Sequence, residues 1–160
     1  MGAGHGLLPD ADRPQLALFC RARARLCALP LKDVVETMRP LPVTGVPGAP
    51  PFVRGVSVIR GAPVPVVDVG GLLGDPRSDG ATRFVVLRLG ERRAALAVEE
   101  VLGLRELTSL QLGELPPLLK DAGEVVSRVA ALDAELLLVL ATARLVSDSV
   151  WQAAEARGGE

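Results

Sequence analysis

Short apolar runs, each about strand length and rich in Val, Leu and Ala, recur along the chain between breaks of Gly, Pro, Asp and Arg. That pattern predicts β-strands joined by tight turns. The sharpest instance is Phe52–Gly74, FVRGVSVIRGAPVPVVDVGGLLG. Phe52–Ile59 and Val64–Val69 are rich in β-branched residues, which favour strands. Arg60-Gly61-Ala62-Pro63 between them is a hairpin-length connection in which Gly61 supplies a positive φ at no steric cost. Pro63 and Pro65 lie two apart and lack their N–H on the same lateral edge, so this strand is expected at a sheet edge or a bulge. Asp68 shares a face with Val64 and Val66 and is expected to accept backbone N–H groups at a turn or cap.

Residues before this hairpin follow the same grammar. Residues 1–14 carry no periodicity and are expected to form a disordered tail, with the only histidine, His5, inside it. From Gln15, LALFC and LCALPL predict two strands joined by a turn whose Arg21, Arg23 and Arg25 form a solvated tip, open to an acidic partner. Val34–Met38 continues the pattern, and a proline-rich loop runs from Arg39 to Pro51.

After the exposed connection DPRSDGAT, the layout starts again. Arg83–Val101 repeats the order of Gln15–Val35: apolar strand, short turn with arginines, apolar strand, charged residues before Val. Leu136–Ala141 with Leu145-Val146 parallels Val64–Asp68 with Leu72-Leu73. The repeat predicts a mainly β protein of two similar small barrels packed together. Their lobes fall at roughly 15–77 and 78–148, and either close separately or exchange strands. Leu107–Gly123 is expected to be a long loop with one helical turn, and Asp133-Ala134 to turn the last hairpin. Ser147 or Asp148 caps a short C-terminal helix within 149–160, with Val150, Trp151 and Ala154 as its apolar stripe.

Composition narrows the function more than the fold. Formal net charge is −1, with acids and bases mixed, and the aromatics are three Phe, one Trp and no Tyr. A small barrel that binds nucleic acid is the alternative from another class, but there is no basic patch to attract phosphates and no base-stacking platform. Cys20 and Cys27 lack a partner set for a metal and are expected to be reduced, buried and apolar in character. No signal peptide or membrane-length apolar run is present, so a cytoplasmic protein without membrane insertion is expected. No phosphate-binding glycine loop, metal-ligand spacing or His–Asp–Ser set appears, and adjacent Glu99-Glu100 is expected to be a solvated strand end. A non-enzymatic protein with no cofactor follows as the expectation.

The ordered set Gly55, Val56, Arg60, Gly61, Val64, Pro65, Val66, Val67, Asp68, Leu73 and Gly74 resembles the signature of the CheW-like domain. The resemblance extends over about Gln15–Asp148 and includes Glu36 in a Val-x-Glu pattern. It implies two five-stranded, SH3-like barrels with a receptor-binding groove between them. The implied role is an adaptor linking the cytoplasmic tip of a chemoreceptor to the regulatory domain of a CheA-type histidine kinase, with barrel ends docking on the kinase.

Within that resemblance Arg60 is the leading candidate for partner contact and Glu36 the second, while Gly55, Gly61 and Pro65 shape the backbone. The chain also departs from the family pattern. Val58 stands where an Asn is usual, Arg128 where a Gly precedes the last hairpin, Asp133 where a Gly sits in a turn, Ala141 in place of the Asp or Asn that ends the last strand, and Glu99 in place of Asp. Val58, Arg128 and Asp133 therefore join the candidate contact residues. A divergent scaffold that binds receptors or other CheW-like proteins without recruiting the kinase is the alternative reading.

Overall fold

The computed structural model describes residues 15–75, 80–107, 113–114 and 125–158. The expected N-terminal tail and most of the Leu107–Gly123 stretch, with the helical turn expected there, lie outside the described residues. Ten strands form two five-stranded sheets. They are β1 (Leu16–Ala22), β2 (Arg25–Pro30), β3 (Val34–Met38), β4 (Val53–Ile59), β5 (Ala62–Asp68), β6 (Arg83–Leu89), β7 (Arg92–Val98), β8 (Glu100–Glu106), β9 (Val126–Leu132) and β10 (Glu135–Leu140). Among the described residues two α-helices accompany them, the short α1 (Val69–Leu72) and the C-terminal α2 (Asp148–Gly158), with 3-10 turns at Leu31–Asp33 and Thr142–Arg144.

One sheet has the order β3-β6-β7-β5-β4 and is contiguous in sequence; the other, β8-β1-β2-β10-β9, is built from both ends of the chain. They are called here the middle and terminal barrels. The 77/78 boundary does not separate them, because β1 and β2 join β8–β10 while β6 and β7 join β3–β5. Each barrel joins a hairpin of one half to a hairpin of the other through a single parallel ladder, β5 with β7 and β10 with β2. The two orders are the same when each strand is replaced by its repeat counterpart, which is the structural content of the sequence repeat.

The apolar runs barely alternate with polar residues because most strands are buried on both faces. In β1, Ala17 and Phe19 point into the terminal barrel, while Leu18, Cys20 and Ala22 point the other way into a core shared by both barrels. In β6, Phe84 and Val86 line the middle barrel, while Val85 and Leu87 enter the shared core. Cys20 and Cys27 face each other across β1–β2 as free thiols in that core. Burial, with a smaller contribution from Glu99, pushes the Cys20 thiol up to about 12, so it stays protonated and acts as a small apolar group.

Two expectations about the central hairpin change. Ile59 pairs with Ala62, so the turn is the two residues Arg60-Gly61 and not the four through Pro63. β5 is also internal to its sheet, flanked by β4 and β7. Its prolines are tolerated because the β7 ladder begins only at Val66. Alternation outward from the turn aims the backbone of residues 63 and 65 away from β4, toward the side where no ladder has yet formed. α2 packs against β5 and buries Val150, Trp151 and Ala154, the expected stripe. A β-bulge at Gly55 completes the hairpin. A Cβ there would lie 2.0 Å from the Thr44 carbonyl oxygen at a φ of +140°, so only glycine fits.

Candidate functional site

Arg60 and Gly61 have φ of 54° and 80°, the left-handed pair that matches the twist of a two-residue hairpin. Such backbone costs a non-glycine residue roughly 1 to 2 kcal/mol, so the arginine is held there by its surroundings. Its guanidinium forks onto Glu36, with Nε donating to Oε2 at 3.2 Å and Nη2 to Oε1 at 2.8 Å. β3, which carries Glu36, and β4, which leads into the turn, are the two edges of the middle sheet. The ion pair therefore spans the seam where the rolled sheet meets itself. The hydrogen bond from Arg60 holds the Glu36 carboxyl below its ordinary range, and the same bond raises Arg60.

The structure thus brings together the first two sequence candidates, and Val58 lies two residues before Arg60 with 69% of its surface exposed. An exposed valine beside a rigid, charged fork gives an apolar contact next to a planar donor set. That combination suits a partner surface offering a carboxylate or free carbonyls beside an apolar residue.

Arg128 and Asp133 are not part of that cluster. They lie on the terminal barrel, Arg128 exposed on the edge strand β9 and Asp133 at the tip of the β9–β10 turn with φ 56°. The bulge in β3 before Glu36 recurs in β8 beside Gly103, so Gly103 stands where the middle barrel has its carboxylate. In place of a fork the terminal barrel has a cleft of about 660 Å³, lined by Phe19, Leu102, Arg105, Leu132 and Asp133 among others. Arg21 and Glu135 form a separate fork on its wall at 2.6 and 3.1 Å, which keeps the Glu135 carboxyl low.

Sequence reasoning missed a third group. Arg23, expected at a solvated tip, has only 5% of its side chain exposed and reaches from the terminal barrel to Asp68 on the middle barrel at 2.6 Å. Its Nη1 donates to the Asp75 carbonyl at 2.6 Å, and its backbone N–H donates to the Glu99 carboxylate. Asp68 is consequently a buried ion-pair partner, with no side-chain bond to the start of α1, and Arg54 stands 3.6 Å from it. Glu99 is half-buried and bonded, not a solvated strand end. The available signal was Arg23 itself: a turn made by Arg23-Ala24 has no glycine at the left-handed position, so another interaction must hold it there.

Among the described residues no group of His, Cys, Asp and Glu could hold a metal ion, and no helix is long and apolar enough to cross a membrane.

A family model for the CheW-like domain matches residues 16–150. Protein FrzA of Myxococcus xanthus is 34% identical over 108 residues, 66% of this chain and 66% of FrzA. Protein PilI of Pseudomonas aeruginosa is 32% identical over 121 residues, 74% of this chain and 68% of PilI. The chain spans about two thirds of the length of these relatives. Among solved structures, the scaffolding protein TtCheW from Thermoanaerobacter tengcongensis superposes with a TM-score of 0.70 at 21% identity, covering 80% of this chain and 89% of that one, so the two share a fold.

Proposed function

The chain belongs to the CheW-like domain family, and on that premise we propose that it is a non-enzymatic adaptor of a chemosensory array. It links the cytoplasmic tip of a chemoreceptor to the regulatory domain of a CheA-type histidine kinase. The observation that carries the reading is the Arg60–Glu36 fork with exposed Val58 beside it. The fork is pinned between strand β3 and the β4–β5 turn, so its donors are oriented before a partner arrives and little side-chain entropy is lost on binding. A receptor tip with an acidic or carbonyl-rich helix face supplies what this surface lacks.

The departures on the terminal barrel favour a second reading, a scaffold that binds receptors or other CheW-like proteins but not the kinase. Arg128 is exposed on an edge strand, where a bulky charge obstructs close packing of another sheet. An unpaired charge forced into an interface costs several kcal/mol, enough to move a micromolar contact of about −8 kcal/mol beyond 100 μM.

Calorimetry with a soluble receptor-tip fragment and, separately, a kinase regulatory domain tests both readings. Binding of both supports the coupling adaptor. Binding of the tip alone, with kinase binding restored in an Arg128→Gly, Asp133→Gly variant, supports the scaffold. Absence of tip binding would overturn both.

A further inference from the structure

α2 is a cover with open clefts along both of its flanks. The N-terminal half of β5 is bare toward β7, with Pro63 and Pro65 offering no N–H on that side, and α2 lies over it. Cavities flank the helix on both sides. One of about 120 Å³ separates Ser149, Val150 and Ala153 from the loop at Val46–Pro50. The other, about 450 Å³, opens between Trp151, Ala154 and Glu155 and the hairpin tips that carry Arg60, Arg92 and Arg93. These clefts open to solvent along both flanks of the helix, and among the described residues Val150, Trp151 and Ala154 are the side chains that anchor it in the core.

One residue clasps it from outside. Arg92, at the start of β7, approaches Glu155 at 3.5 Å and Asp148 at 3.9 Å, and its guanidinium lies 5.5 Å from the centroid of the Trp151 ring. Asp148, Trp151 and Glu155 fall on one helix face, since residues three and four apart are neighbours there. All three charged groups are exposed, and exposed ion pairs are weak and screened by salt. Arg60 lines the same cleft as Trp151 and Glu155.

We propose that α2 is a strap whose release is linked to occupation of the Arg60 surface; the linkage rests on the adaptor reading above. An acidic group entering the cleft toward Arg60 competes with Glu155 for the neighbouring guanidiniums and loosens the clasp. By reciprocity, loosening the clasp strengthens binding of that group.

The test compares Glu155→Gln with Glu91→Gln. Each removes one negative charge from the same cleft, but only Glu155 is on the strap. Hydrogen exchange of the α2 amides in the free proteins is expected to quicken about fivefold in Glu155→Gln and with added salt, and to stay unchanged in Glu91→Gln. Trp151 is the only tryptophan and there is no tyrosine, so its emission reports the seat of α2 directly and should shift to the red alongside. Calorimetric affinity for an acidic receptor-tip fragment should rise about threefold more in Glu155→Gln than in Glu91→Gln. Unchanged α2 exchange in Glu155→Gln overturns the strap whatever binds. Faster exchange with equal affinity gains in the two variants overturns the linkage. A wild-type protein that binds no tip fragment overturns the adaptor reading and the linkage with it, while the exchange results still decide the strap.

Discussion

Arg23 and Arg60 occupy the same place in two hairpins. Each is the first residue of a two-residue turn, each has left-handed backbone, φ 56° and 54°, and each guanidinium is bonded to a carboxylate. They differ in what surrounds the pair: side-chain exposures are 5% and 11% for Arg23 and Asp68, against 68% and 23% for Arg60 and Glu36. The first pair joins the two barrels; the second closes one barrel and faces outward. Local sequence sets the turn, and the packing of distant strands decides whether its arginine belongs to the fold or to a surface.

The largest expected effect comes from breaking the buried pair. Removing one partner of a buried ion pair typically costs about 3 to 5 kcal/mol because the other charge is left uncompensated. Arg23→Met should therefore lower stability, by the low end of that range or less, because Arg54 already pairs with Asp68 at 3.6 Å. Replacing both, Arg23→Met with Asp68→Leu, should recover most of the loss. Urea unfolding of the two singles and the double gives the coupling directly, and a double variant as unstable as the sum of the singles would show that the pair acts through separate contacts.

A smaller effect tests the same node from the backbone side. A Cβ on Gly70 would meet Arg23 at 2.7 Å from Nη1 and 2.9 Å from Cγ and Cδ. Because that side chain is pinned at both ends, it cannot step aside without losing a bond. Gly70→Ala should cost about 1 to 3 kcal/mol, the usual range for overpacking, and the cost should largely disappear in an Arg23→Ala background. A full cost persisting there would place the clash elsewhere in α1.

Arg60→Ala marks the opposite end of the comparison. Exposed substitutions usually shift stability by less than about 0.5 kcal/mol, so unfolding should barely change. Under the adaptor reading, affinity for the receptor tip should fall at least tenfold, about 1.4 kcal/mol. Loss of stability without loss of affinity would make the two arginines alike after all.

Strand pattern, repeat and C-terminal helix were legible because each rests on local chemistry: β-branched runs, turn formers and an apolar stripe. Arg60 and Glu36 were singled out through their motif and Val58 as a departure from it, and the fold places the fork and the exposed valine side by side. What could not be read is whatever depends on which strand meets which. β5 carries two prolines and still lies inside its sheet, because β7 reaches only its last residues. Asp68 and Arg23 are far apart in sequence and meet only because the chain's two ends build one barrel. Glu99, at the link from β7 to β8, is drawn inward by the same arrangement.

The smallest effect uses pH to separate the exposed forks from the buried pair. The hydrogen bond from Arg60 lowers the Glu36 carboxyl from its usual value of 4.5, and that from Arg21 does the same for Glu135. For a carboxylate depressed in the folded state, the unfolded chain holds more protons between the two values, so stability rises with pH across that window. The contribution is complete above 4.5 and is lost as pH falls through the lower, folded value. Both forks are solvated and screened, so each adds only a shallow slope to the acid limb. Urea midpoints measured from about pH 3 to 6 should flatten slightly in Glu36→Gln and again in Glu135→Gln. The two effects should add, since the residues lie on different barrels and share no partner. Raising the salt concentration should shrink them together. An acid limb unchanged in the double variant would mean that the exposed forks hold geometry without contributing stability, leaving Arg23 and Asp68 as the only one of these pairs on which the fold depends.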